Sequence, residues 1–210
     1  MGDGARRLRR WVVTGPVGAG KSLVTSTLAG LGAHIVDADA EGHGVLHDPA
    51  VVAEIAAAFG ASCVAAGAVR RDALAGIVFA DGRELSRLNR ITHGRLSARL
   101  AARLDELERE AGQPGLAVVE AAVYFLLPSF GPVDLVIAVT APEALRADRL
   151  VRCGRLDGAE ALARIAAQRS MTADFTRADV VLDNSGSAEE LRRAVAAIHE
   201  TYMRGNIPGG

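Results

Sequence analysis

The stretch GPVGAGKS, residues 15–22, decides the reading of the fold. Gly15, Pro16, Val17, Gly18, Ala19, Gly20, Lys21 and Ser22 fit the spacing G-x-x-x-x-G-K-[S/T]. The apolar run WVVT, residues 11–14, precedes them and reads as a buried strand. A helix is predicted over 22–31, ended by Gly32. A strand before and a helix after is the setting in which this pattern forms a phosphate-binding loop. Glycines let successive N–H groups turn inward toward phosphate oxygens, and the helix N-terminus adds unpaired donors and partial positive charge. Lys21 is the only lysine of a chain whose Lys and Arg together number 24. Its compact ammonium, on a thin stem, can reach between a β- and a γ-phosphate; the wider planar fork of arginine is not a like-for-like substitute. Ser22 offers a small hydroxyl to Mg²⁺. Leu23, in the first helical turn, is counted with the loop as nucleotide-binding.

The 210 residues suit one domain with insertions. Half are hydrophobic and only 4% aromatic, so the core must be built from Ala, Val, Leu and Ile. A net charge of −1 makes no global electrostatic case for nucleic acid or an anionic membrane, so an anionic ligand needs a local site. Cys63 and Cys153 match no metal spacing and read as free thiols of a reducing compartment. No segment is long and apolar enough for a signal peptide or a membrane span, and a cytoplasmic protein is expected, acting as a monomer or weak oligomer.

Further strands are predicted at AHIVDAD (33–39), over 116–119 ending at Glu120, at VDLVIAVT (133–140) and over 180–183. Helices are expected over 49–59, over 84–110 with Leu96, Leu100, Leu104 and Leu107 as one apolar stripe, after Pro142, and over 187–202 with Ser187 as cap. Residues 61–82 read as a short hairpin-like piece followed by a helix. Strands alternating with helices imply an α/β fold with a five-stranded, mainly parallel sheet and helices on both faces. The expected division is a core of 8–41, 114–148 and 176–205, a helical insertion over 42–113 and a lid over 149–175.

Asp37 and Asp39 fall at the carboxyl end of the second predicted strand, the edge that faces the ligand crevice of an open parallel sheet. Period-two alternation would point both carboxylates the same way. Near a triphosphate they are useful only if they serve the metal or the acceptor: Asp37 is expected on Mg²⁺ and the substrate, and Asp39 beside an acceptor hydroxyl whose proton it could take. A helix cap plus a solvated acid is the alternative.

With the loop and IVDAD taken together, the sequence resembles dephospho-CoA kinase. The resemblance covers nearly the whole chain through VVTGPVGAGKS, GAHIVDADAEGHGVL, GAVRRDALAGIVFAD, LNRITHG, RIAAQ and ADVVLDNSGSAEEL, in the family's order and spacing. It implies a P-loop kinase fold of the nucleoside-monophosphate-kinase type, with ATP and dephospho-CoA as substrates and Mg²⁺ as cofactor. The implied reaction carries the γ-phosphoryl group to the 3′-hydroxyl of the dephospho-CoA ribose. Position by position, Asp39 matches the proposed base and Asp37 its acidic neighbour. Arg149 matches a lid arginine that contacts phosphate, and Arg71 and His93 match substrate-domain positions. Asn184, Ser185 and Gly186 match the stretch near the adenine. The chain departs from the family at Gly94, where proline is usual, at AVYFL (122–126), where PLLFE is usual, and at Asp174, where a lysine is usual six positions after the lid glutamine Gln168.

Arg146, Arg149, Arg152 and Arg155 recur every three residues, with glycines at Gly154 and Gly158, which suits either a solvated helix face or a lid whose cations swing onto phosphate. His34, His43, His47, His93 and His199 show no metal spacing. His199 reads as structural, His93 as a donor to substrate or a packing residue, and Glu120 as a helper of Mg²⁺ through water or a helix cap. Arg6, Arg7, Arg9 and Arg10 read as a solvated tail. Another small-molecule or nucleoside-monophosphate kinase, and a nucleotide-binding homologue with impaired catalysis, remain as alternatives.

Overall fold

The computed structural model describes residues 8–78, 80–110, 115–154, 156–168 and 175–204. Arg6, Arg7, Gln113, Arg155, Asp174 and the tail beyond Arg204 lie outside the described residues, and the readings made of them end there. The first half of the chain forms β1 (Arg9–Thr14), α1 (Lys21–Gly30), β2 (His34–Asp37), α2 (Ala38–Val45), α3 (Pro49–Phe59), β3 (Val64–Ala65), β4 (Ala68–Val69), α4 (Arg71–Val78) and α5 (Gly82–Glu110). The second half forms β5 (Leu116–Glu120), β6 (Leu135–Thr140), α6 (Glu143–Arg152), α7 (Gly158–Ala167), β7 (Val180–Asp183) and α8 (Ala188–Met203).

The chain divides into two compact units. One comprises the residues up to Val36, Leu104–Phe125 and those from Pro132 on; the other comprises Asp37–Arg103 and Leu126–Gly131. The first unit holds a five-stranded sheet in the order β2-β5-β1-β6-β7. β1 runs parallel to β5 and β6, and β6 parallel to β7, with Val13 opposite both Glu120 and Ile137. Consecutive residues Trp11, Val12, Val13 and Thr14 are all buried. Successive strand side chains point to opposite faces, so burial of all four means that both faces of β1 are covered. On one face Trp11, Val13, Val118 and Ile137 join Val24 and Leu28 of α1 and Leu191 and Val195 of α8 in a single apolar cluster. The edge of Trp11 also meets His199 and Tyr202, with ring centroids 6.1 and 6.0 Å away, so His199 is a packing residue.

Arg10 is not part of a solvated tail. It is buried in β1, and its Nη2 donates to Asp105 at 2.9 Å and Glu108 at 2.6 Å, both on α5. Its main-chain N–H is taken by Asp134. Strand pairing carries this residue into the sheet, where the charge can remain only because two carboxylates meet it.

The second unit contains α2, α3, α4, the two-stranded β3–β4 hairpin and α5 as far as Arg103. Asp48 caps α3 by accepting the Ala50 N–H, with Pro49 at the first helical position. The expected leucine stripe of α5 is buried at Leu96, Leu100, Leu104 and Leu107. α2 has no counterpart in the sequence reading. The strand expected over 33–39 stops at Asp37, because the Asp37 carboxylate accepts the N–H groups of Asp39 and Ala40 and starts a helix.

Ile137 is fully buried at the centre of the sheet. Ile137→Ala is expected to lower the unfolding free energy by about 2–5 kcal/mol through the cavity it leaves, as measured by urea titration.

Candidate active site

β1 delivers the chain into residues 15–22 at the point where the sheet order divides, with β5 on one side of β1 and β6 on the other. In open α/β sheets the ligand crevice lies outside the strand ends at such a division. Gly15, Gly18 and Gly20 have φ of 142°, 75° and 105°. Each also lies against a neighbour that leaves no room for a side chain. A β-carbon on Gly15 would meet the Val139 carbonyl oxygen, one on Gly18 the Arg146 carbonyl oxygen at 2.8 Å, and one on Gly20 the Asn184 Nδ2. The loop is thereby pressed onto β6, α6 and the residue that follows β7.

The loop carbonyls are held from one side. Arg146 Nη1 donates to Val17 O at 3.4 Å, and Arg149 Nη1 lies 3.5 Å from both Gly18 O and Ala19 O. Asn184, whose side chain is buried, donates Nδ2–H to Ala19 O at 2.7 Å, and its own carbonyl accepts from Arg149 Nη2 at 2.9 Å. In a planar trans peptide the C=O and the following N–H point in opposite directions. Holding the carbonyls of Val17, Gly18 and Ala19 toward α6 therefore turns the N–H groups of Gly18, Ala19 and Gly20 the other way. The Ala19 N–H closes a turn onto Pro16 O at 3.2 Å, while those of Gly18 and Gly20 make no hydrogen bond among the described residues. Lys21 Nζ reaches back across the loop to Pro16 O at 3.3 Å. The first turn of α1 contributes further N–H groups and the positive end of the helix dipole. An arrangement of this kind can hold an anion.

Glu120, at the end of β5, accepts from Ser22 Oγ at 3.3 Å and from Thr25 Oγ1 at 2.7 Å. A carboxylate is thus fixed beside the hydroxyl of Ser22. Among the described residues no group of three or more His, Cys, Asp and Glu side chains could hold a metal by itself. A hydroxyl with one carboxylate nevertheless fits Mg²⁺, which takes few protein ligands and completes its shell with phosphate oxygens and water. A cavity of about 320 Å³ opens between the end of β7 and the start of α8, lined in part by Asp183, Asn184, Gly186 and Glu190.

In the second unit, Asp39 lies exposed in the first turn of α2, and Asp37 spends Oδ1 as the cap of that helix. Strand alternation therefore does not relate the two carboxylates. Arg71, at the start of α4, donates Nη2–H to His43 Nε2 at 2.7 Å. His93 Nδ1 lies 3.1 Å from the Leu126 carbonyl, which assigns the proton to Nδ1 and leaves a lone pair on Nε2. Burial holds the His93 pKa below the ordinary value, and the bond to Leu126 opposes that shift.

The dephospho-CoA kinase family model matches residues 11–190. The chain belongs to the dephospho-CoA kinase family. It is 40% identical over 187 residues to the dephospho-CoA kinase of Corynebacterium jeikeium, covering 87% of this chain and 94% of that protein. It is 38% identical over 195 residues to that of Moorella thermoacetica, covering 91% of each. Among solved structures, TT1252 from Thermus thermophilus is 30% identical, with a TM-score of 0.73 over 92% of this chain and 97% of that one. The dephospho-CoA kinase of Campylobacter jejuni, 22% identical, shares the fold with a TM-score of 0.64 over 94% of this chain and 98% of that one.

Where the family resemblance expects PLLFE, the chain builds an aromatic cluster instead. Tyr124 and Phe125 lie 5.1 Å apart, Phe175 is 6.4 Å from Phe125, and the Arg177 guanidinium sits 5.0 Å above the Phe125 ring. Gly94 lies inside an uninterrupted α5. Of the four spaced arginines, Arg146 is buried against the loop and Arg149 is half-buried beside it, so α6 does not present them on a solvated face. Arg152 is exposed and pairs with Asp148. Ser185 Oγ donates to Asp183, and Gly186 packs on Glu190. Sequence reasoning missed Arg146 and the Asn184 side chain as braces of the loop. It named Glu120 only as one of two options, though a carboxylate ending a strand beside the loop strand was the available signal.

Two measurements probe this geometry. Gly20→Ala adds a β-carbon at positive φ against Asn184 and is expected to cost about 2 kcal/mol or more. Gly30→Ala, in open helix surface with nothing within 4 Å, should change stability by less than about 1 kcal/mol. The second concerns pH. Because burial lowers the His93 pKa, its contribution to stability is complete above about pH 6.5 and is lost as pH falls below that value toward the folded-state pKa. The loss of unfolding free energy between pH 7.5 and pH 5 should be smaller in His93→Gln than in the wild type.

Proposed function

We propose that this chain is the ATP-dependent kinase that transfers the γ-phosphoryl group of ATP to the 3′-hydroxyl of the dephospho-CoA ribose, giving CoA. The observation that carries this reading is the loop itself: three glycines at positive φ, carbonyls held toward α6, and Lys21 laid across the mouth. Membership of the dephospho-CoA kinase family favours this acceptor over that of another P-loop kinase, and favours activity over an impaired homologue.

In the proposed mechanism the N–H groups of Gly18 and Gly20 and those at the start of α1 bind the β- and γ-phosphates of ATP, with Lys21 between them. Ser22 Oγ and Glu120 would hold Mg²⁺, which when bound neutralises charge on the phosphate oxygens. Glu120 joins Ser22 in that duty because its carboxylate already stands beside the Ser22 hydroxyl; Asp37, whose Oδ1 accepts two helix N–H groups, would have only Oδ2 to offer the metal. Asp37 instead starts the helix that presents Asp39. Asp39 takes the proton of the 3′-hydroxyl as that oxygen attacks the γ-phosphorus. The bond from the γ-phosphorus to the bridging oxygen breaks, and ADP departs. Arg149 braces the loop and places positive charge behind it. Arg71 and His93 serve the acceptor, and the stretch from Asn184 to Gly186 serves the adenine of ATP. The enzyme works in the cytoplasm as a monomer or weak oligomer, without nucleic acid or a membrane surface. The balanced charge supports that reading.

Production of ADP should rise severalfold when dephospho-CoA is added, with 3′-phosphorylated product accounting for the increase; an unchanged rate would sink the assignment. Asp39→Asn should lower kcat about a hundredfold or more. Lys21→Met should weaken both ATP binding and turnover, the latter by about a hundred- to a thousandfold.

A further inference from the structure

One peptide of the loop, Pro16–Val17, is held at both ends. Pro16 O accepts from Ala19 N at 3.2 Å and from Lys21 Nζ at 3.3 Å. The other end of the same peptide, Val17 N–H, is taken by a side chain 151 residues away: Gln168 Oε1, at 2.7 Å, from the residue that ends α7. The peptide is trans, as are all those described, so its N–H and C=O are antiparallel across one rigid plane. Fixing the N–H on one side therefore aims the carbonyl on the other. Arg146, on α6, holds the next carbonyl, Val17 O, so the whole Val17 residue is gripped from the helix pair α6–α7.

We propose that Gln168 is a positioning residue for Lys21, acting through the plane of the Pro16–Val17 peptide. Its carboxamide oxygen sets the carbonyl on which the Lys21 ammonium rests, and so sets where that ammonium stands when phosphate arrives. The lysine stem has four rotatable bonds, and one well-aimed carbonyl selects among the conformations available to it. Without Gln168 the Val17 N–H would lose its acceptor, only the Ala19 N–H would still hold the Pro16 carbonyl, and the peptide plane could tilt that carbonyl away from Lys21. The proposal rests on the kinase reading above and adds to it a residue that touches neither phosphate nor acceptor.

The test uses four full-length proteins: wild type, Gln168→Met, Lys21→Met and the double variant. Methionine keeps the length of glutamine and removes the acceptor. Affinity for a non-hydrolysable ATP analogue is measured by calorimetry, and thermal midpoints verify folding. In the wild-type background Gln168→Met should weaken the analogue about tenfold, the order expected when a main-chain donor loses its partner, while the KM for dephospho-CoA changes less than about twofold. In the Lys21→Met background the same change should cost less than about threefold, because its route runs through the missing ammonium. Equal losses in both backgrounds, or wild-type affinity in Gln168→Met, overturn the proposal. If Gln168→Met unfolds, Gln168→Ala is measured in the same cycle under the same criteria. The binding cycle needs no acceptor. A wild type that binds the analogue but leaves dephospho-CoA unphosphorylated would therefore refute the kinase reading and leave this one standing.

Discussion

The antiparallel geometry of the peptide unit is the constraint on which the site depends. A loop of small residues has no side chains with which to bind an anion. It can act only through its N–H groups, and these point where they do because the opposite carbonyls are held. Three groups hold them: two arginines of one helix, and an asparagine that is itself fastened by one of those arginines. The asparagine bond is short and buried, which strengthens it, while the longer arginine contacts act on the carbonyls through their charge. The cations thus contribute twice, by orienting dipoles and by placing positive potential behind the loop.

The glycines are the other half of the same constraint. Positive φ at three positions out of six bends the chain tightly enough to form a cup, and the missing β-carbons let β6, α6 and Asn184 approach within contact. Either requirement alone would favour glycine; together they leave no alternative at Gly15, Gly18 and Gly20. The core beneath is made almost entirely of aliphatic side chains, with Trp11 the exception. A close-packed platform of this kind transmits little motion, so the loop and the end of β5 that carries Glu120 are both fixed on rigid strands.

The second unit obeys a different local rule. An aspartate at the end of a strand can continue the pleat, or it can fold back and take the N–H groups of the next turn. Asp37 takes two, and the chain leaves β2 directly into α2. The energy at stake is that of one helix cap, about 1 kcal/mol, which is small beside tertiary packing and therefore hard to weigh in advance. Arg99 secures α2 further on: it pairs with Glu41, and its guanidinium covers Gly44, where a β-carbon would lie 2.7 Å from Nη2. Arg71 and His93 find their partners, His43 and the Leu126 carbonyl, within the same unit.

Local sequence by itself determined the phosphate loop, the five sheet strands, the apolar stripe of α5 and the capping box at Ser187. Each is encoded by residues within one or two turns of each other, where the local pattern specifies geometry: glycines allow positive φ, short continuous apolar runs mark buried strands, and Ser187 lies three residues before Glu190. Family resemblance, drawn from the same letters, reached the substrate and its chemistry. What only tertiary structure decided is which distant side chains meet the loop. Arg146, Gln168 and Asn184 are 129, 151 and 165 residues from the loop groups they hold, and no local pattern marks them apart from other arginines, glutamines and asparagines. Arg10, which local composition made part of a basic tail, became a buried ion pair for the same reason. A hydrogen bond between residues so far apart is chosen by the order of the strands, and that order is settled by burial of the whole sheet rather than by any one segment.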